Sequence, residues 1–264
     1  MGNAGPLKDL AEGPDAAAPS PGGVDPAEVA KFEAIAAEWW DPAGKFAPLY
    51  AMNPCRMGYA AEQIALARGR DPRRLRALAG LSAVDVGCGG GLASEALARL
   101  GARVSGIDAA GAAIPVARLH AEAAGLTIDY RQGEAADLST EGRRYDAVLA
   151  LEVIEHVPDP TGFVRTLSGL AAPGGAVILS TLNRTPQAWA TAILGAERIL
   201  GWLPRGTHDW NRFLTPDELS EMLTAAGLSV IDTRGMVFDP LNRRWRLSEQ
   251  DLSINYLITA QAPA

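Results

Sequence analysis

Glu152, Glu155 and His156 stand at i, i+3 and i+4 in Leu151-Glu152-Val153-Ile154-Glu155-His156-Val157-Pro158. On a short helix that spacing puts all three on one face. Two chemistries fit such a set. His156 alone could act as general base toward a weakly acidic hydroxyl. Alternatively, the two carboxylates and the imidazole could ligate a divalent cation such as Mg²⁺. Against both stands a plain reading, since acids in a first helical turn are favoured by the helix dipole alone. His208, in Gly206-Thr207-His208-Asp209, is a further candidate base or substrate contact on a loop over the pocket, the alternative being a hydrogen-bonded surface residue. His120 reads as structural.

A second chemical signal is Asp85-Val86-Gly87-Cys88-Gly89-Gly90-Gly91. Glycines after a strand let the chain turn sharply and bring its backbone against a ligand. The pattern is G-x-G-x-G. The dinucleotide fingerprint G-x-G-x-x-G fails because Leu92 holds its last position, and no lysine follows to make a P-loop. Gly106-Ile107-Asp108 closes the next strand with a carboxylate where a nucleoside would present its ribose hydroxyls. Together these point to a nucleoside cofactor held by Gly87, Gly89 and Asp108. Asp85, inside the strand, reads either as a counter-charge to a cationic ligand or as a buried brace for the loop.

The elements that must position these residues follow from the hydrophobic pattern. Residues 1–24 are rich in Gly, Ala and Pro and offer little to bury, so a disordered leader is expected before one domain over 25–264. Asp25-Pro26 starts an amphipathic helix that carries Val29, Phe32, Ile35, Ala36 and Trp39. A second helix is expected at 56–69. Seven strands follow, at 83–86, 103–107, 127–131, 145–150, 176–180, 228–233 and 254–260, with helices at 92–100, 112–124, 160–171 and 216–226. Strands regularly separated by helices make right-handed βαβ units, hence a doubly wound, mostly parallel α/β sheet with an N-terminal helical cap and a helical insert near 186–204.

Composition narrows the partners. The chain has 264 residues, 48% hydrophobic and 21% charged, enough for a substantial core. Lys plus Arg number 24 against 31 acids, a net charge of −7, which disfavours nucleic acid as a partner. Two distant cysteines, Cys55 and Cys88, exclude a disulfide scaffold or cysteine zinc site and suit a reducing compartment. No apolar run is long enough to cross a bilayer, and the N-terminus lacks a secretory layout.

The glycine loop with its ribose-position acid resembles the class I, Rossmann-like methyltransferases dependent on S-adenosylmethionine (SAM). Further motifs occur in one order: Trp39-Trp40-Asp41-Pro42, Asn53-Pro54, Arg56-Met57-Gly58-Tyr59, the E-x-x-E-H segment, Ser180-Thr181-Leu182-Asn183-Arg184 and Gly206-Thr207-His208-Asp209-Trp210. With these the chain, from about residue 28 to 258, resembles the O-methyltransferases of ubiquinone biosynthesis. The resemblance implies SAM as methyl donor and Arg56, Gly87, Asp108 and Leu151 as cofactor contacts. It also implies Asp85 beneath the sulfonium, Glu134 in an adenine-contact loop, and methylation of catechol-type hydroxyls on a polyprenyl-hydroxyphenol and a demethylubiquinol. Relatives use a divalent cation through residues matching Glu152, Glu155 and His156. Cys55 and Leu151 depart from the family's usual residues, and a backbone contact at 151 would accommodate the change. A nicotinamide oxidoreductase fails on glycine spacing. A methyltransferase of another small phenol and a non-catalytic SAM-binding subunit remain as alternatives.

Trp189, Ile193, Ala196, Leu200 and Leu203 recur at helical spacing, interrupted by Glu197 and Arg198. Such a segment either lies in a membrane interface or packs as a lid over an apolar ligand. A polyprenyl substrate resides in the bilayer. The expectation is therefore a cytoplasmic protein held peripherally at the inner face of the cell membrane through residues 186–204, in reach of other ubiquinone-biosynthesis proteins.

Overall fold

The computed structural model describes residues 23–41, 44–190 and 210–264. The expected leader up to residue 22, His208 and most of the expected insert lie outside them. Helix α1 (Pro26–Glu33) begins as expected, with the Asp25 side chain accepting the Ala27 amide. It stops at Glu33 and gives way to a 3-10 turn, Ala36–Glu38, so the expected helix through Trp39 is broken. Helix α2 (Ala47–Ala67) starts well before residue 56. Pro48 sits in its first turn, where no amide partner is needed, and the helix carries Pro54 in its interior.

The α/β alternation then runs β1 (Ser82–Val86), α3 (Leu92–Arg99), β2 (Arg103–Asp108), α4 (Ala113–Ala123), β3 (Ile128–Gln132), α5 (Ala135–Thr140), β4 (Tyr145–Leu151), α6 (Pro160–Leu170) and β5 (Ala171–Leu182). After it come α7 (Pro186–Trp189), α8 (Pro216–Ala225), β6 (Ser229–Asp239), β7 (Arg244–Ser248) and β8 (Asn255–Gln261). Strand order is β3-β2-β1-β4-β5-β8-β6-β7. The first five are parallel, and β8, β6 and β7 join antiparallel. The sheet thus has eight strands rather than seven, because β6 runs on to Asp239 and turns back as β7.

The central parallel strands β1, β4 and β5 are buried on both faces, as crossover helices require. Val84, Val148 and Val177 face α6 and α8, through Phe163, Leu167, Leu219 and Leu223. Their neighbours Ala83, Leu149 and Ile178 face α2 and α3, through Tyr59, Ile64 and Leu97. Parallel register sets Val86 beside Ile107, Asp108 beside Gln132 and Leu151 beside Ser180. All loops leaving these strands therefore emerge along one edge, and α1 lies across it. No helix among the described residues is long and apolar enough to cross a membrane.

Candidate active site

Along that edge lies a cavity of about 410 Å³, large enough for a small-molecule site. Gly87, Gly89, Asp108, Glu134, Leu151, Glu152, Glu155 and His156 all line it, so most sequence-predicted site residues converge. The remaining wall comes from Glu28 and Phe32 of α1, Trp39, Phe46, Met52 of α2, Trp245 of β7, and Ile254 with Asn255 at the start of β8.

The glycine loop is built by backbone geometry that side chains resist. Gly87 and Gly89 have φ of 72° and 51°. A Cβ at Gly89 would run into the Trp39 indole, which stacks on Phe46 at a centroid distance of 3.8 Å. The amides of Gly87 and Cys88 donate to the Ile107 carbonyl, and the Gly89 amide donates to the Asp108 carboxylate at 2.7 Å. The other Asp108 oxygen accepts from the Ala110 amide at 2.8 Å. Burial raises the Asp108 pKa, and those two amides only partly offset it. Glu134 is the N-cap of α5, in a reciprocal capping box with Asp137.

Arg56 and Asp85 are not in the cavity wall. Asp85 is 2% exposed and accepts the Ser94 hydroxyl at 2.6 Å, which ties β1 to α3; burial pushes its carboxyl up to about 6. This geometry favours the loop-bracing reading. The Arg56 side chain is buried on α2, in the fields of Glu152 and Asp85. Its Nη2 reaches Asn53 at 3.3 Å, and its Nε is without a hydrogen-bond partner.

The E-x-x-E-H segment departs from the helical expectation. Only Ile154–His156 forms a turn, of 3-10 type, and Glu152 precedes it in the left-handed region at φ 58°. A non-glycine residue there is strained and is held by its surroundings. The three side chains consequently do not share one face. Glu152 accepts from the Ser180 hydroxyl at 2.8 Å and from Asn255 Nδ2 at 3.4 Å. Glu155 accepts the Thr181 hydroxyl at 2.8 Å, and burial, reinforced by the Glu152 charge, pushes it up to about 7. His156 Nδ1 meets Glu28 Oε2 at 2.9 Å, with the Phe32 ring edge-on at 5.3 Å. Burial alone would lower the imidazole pKa, but the Glu28 hydrogen bond and the charges of Glu155, Glu28 and Glu152 leave it raised.

A resident Mg²⁺ fits this donor set poorly. Each carboxylate is turned to a different hydroxyl or amide partner, the imidazole has its own carboxylate, and no group of three His, Cys, Asp or Glu among the described residues is placed to hold a metal. Elsewhere, His120 pairs with Glu95 at 2.5 Å and stacks on Trp40, a structural role. Sequence reasoning missed Glu28, Ser180, Thr181 and Asn255. Ser180 and Thr181 were visible as polar residues at the end of an apolar strand, but Glu28 gave no local signal of a partner 128 positions away.

A family model described as a methyltransferase domain matches residues 59–233. The chain is 56% identical over 240 residues to a ubiquinone biosynthesis O-methyltransferase of Cereibacter sphaeroides, covering 91% of this chain and 97% of that protein. The protein of the same name from Ruegeria pomeroyi is 54% identical over 243 residues, covering 92% and 98%. Among solved structures, a SAM-dependent methyltransferase from Clostridium acetobutylicum aligns with a TM-score of 0.61 at 11% identity, covering 83% of this chain and 98% of that one. Magnesium protoporphyrin IX methyltransferase from Synechocystis, with bound SAH (the demethylated product of SAM), aligns at 0.53 and 22% identity, covering 79% and 85%. At these identities the structural likeness speaks for the fold alone.

Proposed function

This chain belongs to the ubiquinone biosynthesis O-methyltransferase family, and from that premise we propose that it moves a methyl group from SAM to a phenolic hydroxyl of a ubiquinone precursor. One observation carries the reading: a single strand-end cavity brings the glycine loop, Asp108 and His156 onto one wall. The acceptors we assign are the catechol-type hydroxyls of 2-polyprenyl-6-hydroxyphenol and 3-demethylubiquinol.

SAM, when bound, supplies an electrophilic methyl on a sulfonium sulfur. The residues present fit it. Gly87 and Gly89 allow close approach, Asp108 has lone pairs left for a ribose diol, Glu134 stands at the adenine end and Leu151 offers its backbone, while Arg56, behind the cavity wall, would act on the methionine carboxylate through its charge. A phenol of pKa ~10 must lose its proton as its oxygen takes the methyl. His156 is the group we assign to accept that proton. Glu152 and Glu155, held by Ser180 and Thr181, supply negative potential that supports the resulting imidazolium. The apolar wall excludes water and orients the ring. His208 stays a candidate substrate contact.

Transfer of labelled methyl from SAM to a short-chain demethylubiquinol, with and without EDTA, tests this reading. We expect activity to survive chelation and to fall about 10²-fold or more in His156→Ala, the scale of general-base catalysis. Loss on chelation, reversed by Mg²⁺, would instead give the phenol's activation to a cation at Glu152, Glu155 and His156.

A polyprenyl tail must be met in the bilayer, so we further infer peripheral contact with the inner face of the cell membrane through residues 186–204. Trp189, 41% exposed at the end of α7, supports this.

A further inference from the structure

We propose that Glu28 is a positioning residue for His156, so that α1 completes the catalytic base as well as covering it. The proposal rests on His156 being the base. Glu28 Oε2 lies 2.9 Å from His156 Nδ1, with the two side chains only 14% and 15% exposed. The other Glu28 oxygen holds Lys31 at 2.7 Å, and with the imidazole contact this draws the carboxyl down to about 2. An ionised carboxylate only accepts hydrogen bonds, so Nδ1 must carry the hydrogen and Nε2 is the nitrogen in acceptor form. The Phe32 ring, one turn further along α1, meets the imidazole edge-on and sets its plane. The same helix is tethered at its start, where Arg212 donates to Asp25 at 3.2 Å. Tautomer, ring plane and cover are thus all supplied by one short helix, distant in sequence from the strand-end loops.

The full-length protein tests this with Glu28→Ala, Glu28→Gln and Glu28→Asp. We expect Glu28→Ala to lower kcat about 10- to 100-fold, while SAH affinity by calorimetry and acceptor KM stay within about threefold. Glu28→Asp should recover most of kcat. In Glu28→Gln the rise of kcat with pH should move to lower pH, since Glu28 is the strongest influence holding the imidazole pKa up, alongside Glu155 and Glu152. Adding Glu28→Ala to His156→Ala should cost nothing more. Because the chain has only three histidines, ¹⁵N–¹H correlation of the ring nitrogens in the SAH complex reads the tautomer with no variant needed. A kcat within about twofold of the parent in folded Glu28→Ala, an added loss in the His156→Ala background, or an Nε2–H tautomer would overturn the proposal. A fully active His156→Ala would remove the base itself, a failure distinct from the others.

Discussion

At Asp108 the carboxylate that lines the cavity accepts the Gly89 and Ala110 amides, one on each oxygen, and the proposed reading gives its remaining lone pairs to the ribose. Asp108→Ala should therefore weaken SAM binding by roughly 1.5–3 kcal/mol by calorimetry, the scale of two charge-assisted hydrogen bonds. An unchanged dissociation constant would move the nucleoside elsewhere. The Glu28–His156 pair makes a second residue-scale prediction, on stability. Folding raises the His156 pKa above its ordinary 6.5, so its contribution is complete below that pH and fades as pH rises through the native value. Folding lowers Glu28 from 4.5 to about 2, so its contribution is complete above 4.5 and fades as pH falls toward about 2. The gap in melting temperature between parent and Glu28→Gln should be widest between those two ordinary values and close on the alkaline side. A gap independent of pH would argue against the ion pair.

Among the elements, the β1–α3 loop is the least forgiving. Gly89→Ala puts a Cβ into a left-handed residue and into the Trp39 indole at once. The backbone alone costs about 1–2 kcal/mol. We expect a lowered melting temperature and weakened SAM binding, with Trp39→Ala recovering only the steric part. This loop was legible from sequence because glycines after a β-branched run have few other uses, and the central parallel strands β4 and β5 were legible because burial on both faces makes them largely continuous apolar runs. Other elements hid for identifiable reasons. Strand β7, Arg244–Ser248, is an edge strand whose Arg-Trp-Arg-Leu alternation resembles a polar loop. The early start of α2 was masked by Pro48 and Pro54, which read as breakers although the first sits harmlessly in the opening turn. Helix α5 is a six-residue piece, too short for periodicity. The E-x-x-E-H spacing suggested a helix face because sequence carries no sign that Glu152 adopts positive φ.

For the whole molecule, the membrane reading makes the decisive prediction. The intact protein should co-sediment with anionic liposomes, and a variant with Trp189, Ile193 and Trp202 changed to Ser should do so at least about tenfold less, given ~0.8 kcal/mol per buried methylene. Equal binding by both would end the idea. The cavity wall itself has two sources. One half is the carboxyl ends of β1 to β4, and the other is α1, α2, β7 and the start of β8, which flank the parallel sheet in sequence. Within the second group, Phe32 and Trp245 lie outside the residues assigned to the methyl donor. Drift at those two positions can retune which ring and tail are admitted while the methyl-donor grip stays intact, so diversity of customers within this lineage should accumulate there.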